Sequence, residues 1–207
     1  MTAATPRRIA ALPADRHGYP VPWFVATIDG TPDFRVIKPG AIRDALRFRL
    51  CWICGQPAGA NAAFVIGPMC AVNRVSAEPP SHRDCAIYAA THCPFLTRPG
   101  MRRRDTALPD GHVDPAGVMI ARNPGVALVW VTRRWQPFNT DGGVLFDVGD
   151  PVETLWFAQG RPATRGEVEA SIASGLPLLR AEAVQEGARA VVELDRQHRA
   201  ALALVPA

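Results

Sequence analysis

Predominantly apolar runs lie on either side of the polar pair Asp29-Gly30. The β-rich runs WFVATI and FRVI flank a dipeptide that favours a tight turn, so residues 19–40 are expected to form a β-hairpin. The period then lengthens: Ile42, Leu46 and Leu50 recur at fourfold spacing in AIRDALRFRL, as on one face of a short amphipathic helix. That helix delivers the chain into CWICG. AAFVIGPM reads as a short strand and NRVSAEPP as a polar loop. SHRDCAIYAATHC has helical composition, with Ser81 placed to cap it, Asp84 in the first turn where the helix dipole favours an acid, and Pro94 to stop it.

Beyond the charged, Gly/Pro-rich stretch TRPGMRRRDTALPDGHVDPAG, the segments GVMIAR and GVALVWVTRRW read as strands, the second too apolar for a sheet edge. NTDGG before VLFDV predicts another hairpin. From Glu153 the pattern turns helical. Thr164 and Glu167 have capping-box spacing, Val168, Ile172 and Leu176 follow along one face, and Gly175 is placed to end that helix. A longer helix is expected from Pro177 to Leu204, with Leu179, Val184, Ala188, Val191 and Leu194 roughly in phase. These elements predict an α+β fold: an α+β domain over residues 1–150 built on a small antiparallel sheet, and a helical C-terminal region over 151–207 packed on it. The 207 residues are enough to bury a real core.

Composition narrows the function classes. No run of eighteen apolar residues occurs, and the first twenty residues lack the apolar stretch of a signal peptide, so a cytoplasmic protein without a membrane role is expected. In that reducing setting five cysteines, an odd number, point to metal or catalysis before disulfides. Arginine outnumbers lysine 22 to 1, with Lys38 the single lysine. A GC-rich coding sequence produces such a ratio, and arginine also suits phosphate contacts. The distribution says more: residues 1–105 carry 14 basic and 7 acidic side chains, whereas 106–207 carry 9 and 12.

Four cysteines and a histidine fall between residues 51 and 85. Cys51 and Cys54 form C-x-x-C before Gly55, the form of a knuckle that points two sulfurs at one metal, with a glycine free to take positive φ. His82 and Cys85 are three apart at a helix start and share a face. Together they make a Cys3His set for Zn2+. Cys70 competes for the fourth position and would free His82 for acid–base work. Cys93, eight residues beyond Cys85, is about 12 Å away along an unbroken helix, too far to share the ion. With no metal at all, Cys70 and Cys93 are small core residues. A set of four protein ligands is closed and structural, since catalytic zinc keeps a position for water.

The order of turn, strand and ligand-bearing helix over about 48–93, within a zinc module at about 48–96, resembles a treble-clef zinc finger, on the strength of C-x-x-C-G and H-x-x-C. The segments FVIGPMCAVNR, EPPSHRDCA, CPFLTRP and WFAQGRPATR are similar to bacterial and phage-type proteins, a resemblance that implies no activity. Treble clefs also host HNH-type nucleases, but the His, Asn and His spacing of that pattern is missing here.

Other chemistry is sparser. Arg98, Arg102, Arg103 and Arg104 form the densest basic run and are candidates for phosphate contacts, against the plainer reading of a solvated loop. In NRVSAEPPSH, Arg74 is placed to bind an anion and Glu78 to act as a general base, although loops are polar in any case. His112, between Asp110 and Asp114, is a weaker metal candidate. The leading expectation is a protein with a structural zinc that binds nucleic acid or an acidic protein partner through a basic surface. One alternative is a metal- or cysteine-dependent enzyme with its site in the loop 70–85. Another is a structural or assembly protein of a mobile element, pairing through its C-terminal helices.

Overall fold

The computed structural model describes residues 5–104, 106–109, 115–117 and 122–207. It has the α+β class expected, with small antiparallel sheets and C-terminal helices. The expected strand GVMIAR falls mostly, and His112 wholly, outside the described residues.

A single turn, α1 (Arg7–Ala10), precedes the hairpin of β1 (Val25–Ile28) and β2 (Thr31–Ile37). The hairpin reverses at Asp29 and Gly30, whose φ values of 47° and 77° are those of a mirror-image turn that matches the strand twist. Next come α2 (Ala41–Phe48), β3 (Ala62–Ile66), α3 (Pro68–Asn73), β4 (Val75–Ser76), α4 (Arg83–His92) and α5 (Pro94–Thr97). The second half holds β5 (Ala127–Thr132), β6 (Gln136–Thr140), β7 (Gly143–Asp147), β8 (Pro151–Ala158), β9 (Arg161–Pro162), α6 (Arg165–Glu186) and α7 (Ala188–Leu202).

The main sheet runs β3-β5-β8-β9, all antiparallel, and strand parity decides what each of its faces buries. Ala62, Phe64 and Ile66 of β3, Leu128 and Trp130 of β5, and Trp156 of β8 share one core with residues of α3, α6, α7 and β7. Ala63, Val65, Ala127, Val129, Val131, Leu155 and Phe157 point the other way, onto Ala86 and Ala90 of α4. All six residues of β5 are buried, as its apolar run predicts for a central strand. A second sheet, β4-β7-β6, contains the predicted NTDGG hairpin.

Several expectations need correction. The chain from 151 does not turn helical at once: β8 adds an eight-residue strand to the main sheet, and helix begins only at Arg165. Helix α3 occupies the end of the expected AAFVIGPM strand, started by Pro68, whose fixed φ and missing N–H suit a first helical position. Ser81 does not cap α4. The cap position is His82, and Ser81 instead exchanges two backbone hydrogen bonds with Ala63. Gly175 does not end α6, which continues through it and through Pro177 to Glu186. A Cβ at Gly175 would sit 2.7 Å from Met69 Sδ, so the glycine lets α6 approach α3 closely. The break comes at Gly187, with φ of 111°. The capping box does form: Glu167 N–H donates to Thr164 Oγ1 at 3.4 Å, and Thr164 N–H to the Glu167 carboxylate at 2.8 Å. Thr164→Ala is expected to cost about 1 kcal/mol, read as a lowered urea midpoint at unchanged slope.

Candidate metal centre

The site is assembled from three pieces of chain that backbone pairing brings to one corner of the main sheet. Residues 51–55 form a tight knuckle closed by Gly55 N–H to Cys51 O and Cys51 N–H to Gln56 O, both 2.8 Å. Gly55 takes φ of 70°, as the C-x-x-C-G pattern requires. The Trp23 ring lies against it: a Cβ there would stand 2.4 Å from two ring carbons. Strand β3 then runs out along the edge of the main sheet, and its free edge is met by Ser81 through the paired bonds to Ala63, at 2.7 and 2.9 Å. Trp52 N–H donates to Pro80 O at 3.1 Å. These contacts set His82 and the first turn of α4 beside the knuckle.

As a result Cys51, Cys54, His82 and Cys85 present ligand atoms that all lie within 4.8 Å of one another and are buried. Cys51 and Cys85 have no solvent exposure. His82 Nδ1 is 3.4 Å from Cys54 Sγ and 3.9 Å from Cys85 Sγ. A tetrahedron with metal–sulfur bonds near 2.3 Å and metal–nitrogen bonds near 2.0–2.1 Å has sulfur–nitrogen edges of about 3.6 Å, which these two separations bracket. The other ring nitrogen, Nε2, is 2.9 Å from Pro57 O, so it donates there and leaves the Nδ1 lone pair facing the sulfurs.

The electrostatics favour negative charge at this point. Cys51 Sγ accepts backbone N–H groups from Cys54 at 3.5 Å and from His82 at 3.3 Å. A hydrogen bond from the Cys85 thiol pulls the Cys51 thiol down to about 4, with burial opposing and the backbone N–H donors assisting. Cys85, as the donor in that pair, is pushed up, and burial raises Cys54. His82 and Cys85 also stand at the cap and third position of α4, where the helix dipole favours thiolate. A cation seated among the four replaces the protons that this cluster otherwise shares.

The rest of the constellation lies elsewhere. Cys70, on α3, packs half-buried against the main core, and burial pushes its thiol up. Cys93 caps α4 at its far end and is likewise raised by burial. Glu78 is half-buried, its carboxyl raised by burial against the opposing effects of the Trp52 indole and the Arg103 charge. Arg74 donates to Asp150 at 2.7 Å, so its charge already has a partner. In the basic run, Arg98, Arg102 and Arg104 are exposed, whereas Arg103 is half-buried and donates to Arg35 O at 2.9 Å.

Spacing alone did not reveal what completes the centre. Ile9 of α1, 1% exposed, covers the cysteines together with Leu12 and Tyr88, and no motif in the first twelve residues marks that role. The Pro57 carbonyl is equally invisible, because any residue supplies a carbonyl. Comparison with protein-family models, with curated proteins and with solved structures finds no match for this chain.

Proposed function

We propose that this chain is a zinc-binding protein whose zinc is structural, held by Cys51, Cys54, His82 and Cys85 in a treble-clef-like module, and that its basic N-terminal half binds nucleic acid. The observation that carries the zinc is the clustering above: three sulfurs and one imidazole nitrogen within 4.8 Å of one another, with two sulfur–nitrogen separations that bracket a tetrahedral edge, in the soft, sulfur-rich donor set that zinc prefers. The Ala63–Ser81 bridge stands where a treble clef has its hairpin, and the helix start supplies the second ligand pair. Four protein ligands leave no position for water, which argues for scaffolding over metal catalysis. Cys70, raised by burial and outside the ligand set, is a poor nucleophile.

The nucleic-acid half of the reading rests on charge. Three of the seven acids of the N-terminal half are engaged by arginines, Asp33 by Arg35, Asp44 by Arg43 and Asp84 by Arg8, while Arg98, Arg102 and Arg104 are exposed. Binding to a labelled duplex is expected to weaken steeply between about 50 and 200 mM salt, and the double substitution of Arg102 and Arg104 by Ala to reduce the slope of log K on log salt by about 2. Binding that ignores salt, or no binding to nucleic acid, overturns this half and leaves an acidic protein as the partner to test.

A further inference from the structure

The end of α2 presents an arginine, an exposed aromatic ring and a second arginine in succession. Phe48 is 57% exposed although it follows the covered residues Ala45 and Leu46 on the same short helix. The Arg47 guanidinium carbon stands 5.2 Å from its ring centroid, within cation–π range, which steadies one side of the ring and leaves the other open. Arg47 and Arg49 are both exposed, and the one acid of the helix, Asp44, is engaged by Arg43 at 3.1 Å.

Arg49 supplies an independent observation. It occupies the position just past the helix end with φ 51° and ψ 51°, while Arg49 N–H donates to Leu46 O at 3.4 Å and Leu50 N–H to Ala45 O at 2.9 Å. That is the Schellman arrangement, in which glycine takes the left-handed position without strain. An arginine there is kept against the preference of the backbone, a pattern that collects at functional positions. The strained residue also has a rigid base. Arg49 O accepts Ala58 N–H at 2.7 Å and Leu50 bridges Pro57, so the tripeptide is stapled to both flanks of the metal knuckle.

We infer that Arg47, Phe48 and Arg49 form a platform for single-stranded nucleic acid, in which Phe48 stacks on a base and the two guanidinium groups hold the flanking phosphates. The inference rests on the basic-surface reading above and narrows it. A duplex hides its base faces in its own stack and gives an exposed ring nothing to cover, and an acidic peptide uses the charges but not the ring. A single strand uses both. The sequence signal is the tripeptide RFR itself, an aromatic residue between arginines, which lies outside the densest basic run.

The test is fluorescence anisotropy of full-length, metal-loaded protein with two probes, a labelled oligo-dT and a labelled hairpin duplex, with thermal melting of each variant alongside. Phe48→Ala is expected to weaken oligo-dT binding about tenfold and leave duplex binding and the melting temperature unchanged, with Phe48→Trp restoring the affinity. Arg49→Gly is expected to raise the melting temperature, because it relieves the strained position, and to weaken oligo-dT binding several-fold; a purely structural residue would not move the two in opposite senses. Oligo-dT binding insensitive to Phe48→Ala overturns the platform. If that insensitivity comes with losses on both probes in the Arg102 and Arg104 variant, the broader basic-surface reading stands without the platform. Binding to neither probe by the wild-type protein ends both.

Discussion

Cys51→Ser, Cys85→Ser and His82→Ala are each expected to abolish stoichiometric zinc and to lower stability by several kcal/mol, whereas Cys70→Ser keeps the metal and stays within about 1 kcal/mol of the parent. The size follows from what the centre joins. The four ligands tie the knuckle to the start of α4, and Ile9, Leu12 and Tyr88 pack directly on the cysteines. With the ion gone, the buried sulfurs of Cys51, Cys54 and Cys85 are left among apolar neighbours with only protons to share. Structural zinc in small fingers contributes about 10–16 kcal/mol of apparent binding energy, and a domain of this kind holds about 5–15 kcal/mol in total. Loss of one ligand is therefore comparable to the whole stability of the module. The main sheet, with Trp130 and Leu128 fully buried in its centre, does not depend on the ion for its packing. Melting of the ligand variants should accordingly split, with the knuckle over 51–55 and the start of α4 opening before the main sheet. Elemental analysis alongside thermal melting checks both parts. A Cys85→Ser protein that melts with wild-type stability, or a Cys70→Ser protein that loses zinc, would sink the ligand assignment.

Short-range chemistry was legible in the sequence and long-range pairing was not. C-x-x-C-G reads as a knuckle because turn geometry is local, and φ of 70° at Gly55 is what that reading requires. H-x-x-C at a helix start reads as a pair because helical spacing is local too. Nothing in either motif says that β3 pairs with β5, some 65 residues later, or that Ser81 closes the edge of β3 and so carries His82 to the knuckle. The capping box and the Asp29-Gly30 turn were equally readable. Gly175 misled because a glycine in a helical pattern is as consistent with close helix packing as with a stop. Only the position of Met69, on an element missed by the strand reading of AAFVIGPM, decides between them. The basic run at 98–104 drew attention by density. The structure turns Arg103 inward, and it exposes the sparser RFR at the end of α2 with a ring that can take part in recognition.

Gly55→Ala should be among the most damaging single-atom-scale changes in the chain, costing about 3 kcal/mol and lowering zinc affinity with it. Two effects add. At φ of 70° an alanine pays roughly 1 kcal/mol for the left-handed backbone alone. The new methyl would also stand 2.4 Å from two carbons of the Trp23 ring, far inside contact distance, so that ring has to leave its place. Trp23 is poorly free to move. Its backbone N–H donates to Ile53 O at 2.7 Å, its ring meets Trp52 edge-on at a 6.3 Å centroid distance, and Lys38 Nζ sits 3.6 Å from the ring centroid. Displacing it disturbs Trp52, which is 2% exposed and stacks on Phe24, and through Trp52 N–H the Pro80 carbonyl that precedes His82. The strain thus reaches the second ligand pair as well as the first. A paired variant separates the contributions: Trp23→Ala in the Gly55→Ala background removes the two ring contacts and leaves the backbone term with a tight 3.0 Å approach to the Trp23 Cβ. Denaturant unfolding with and without chelator is the measurement, and the double variant is expected to recover zinc affinity more fully than stability, because truncating Trp23 itself removes packing against Trp52. If Gly55→Ala binds zinc and unfolds like the parent, the close approach of Trp23 is not what holds the knuckle in shape.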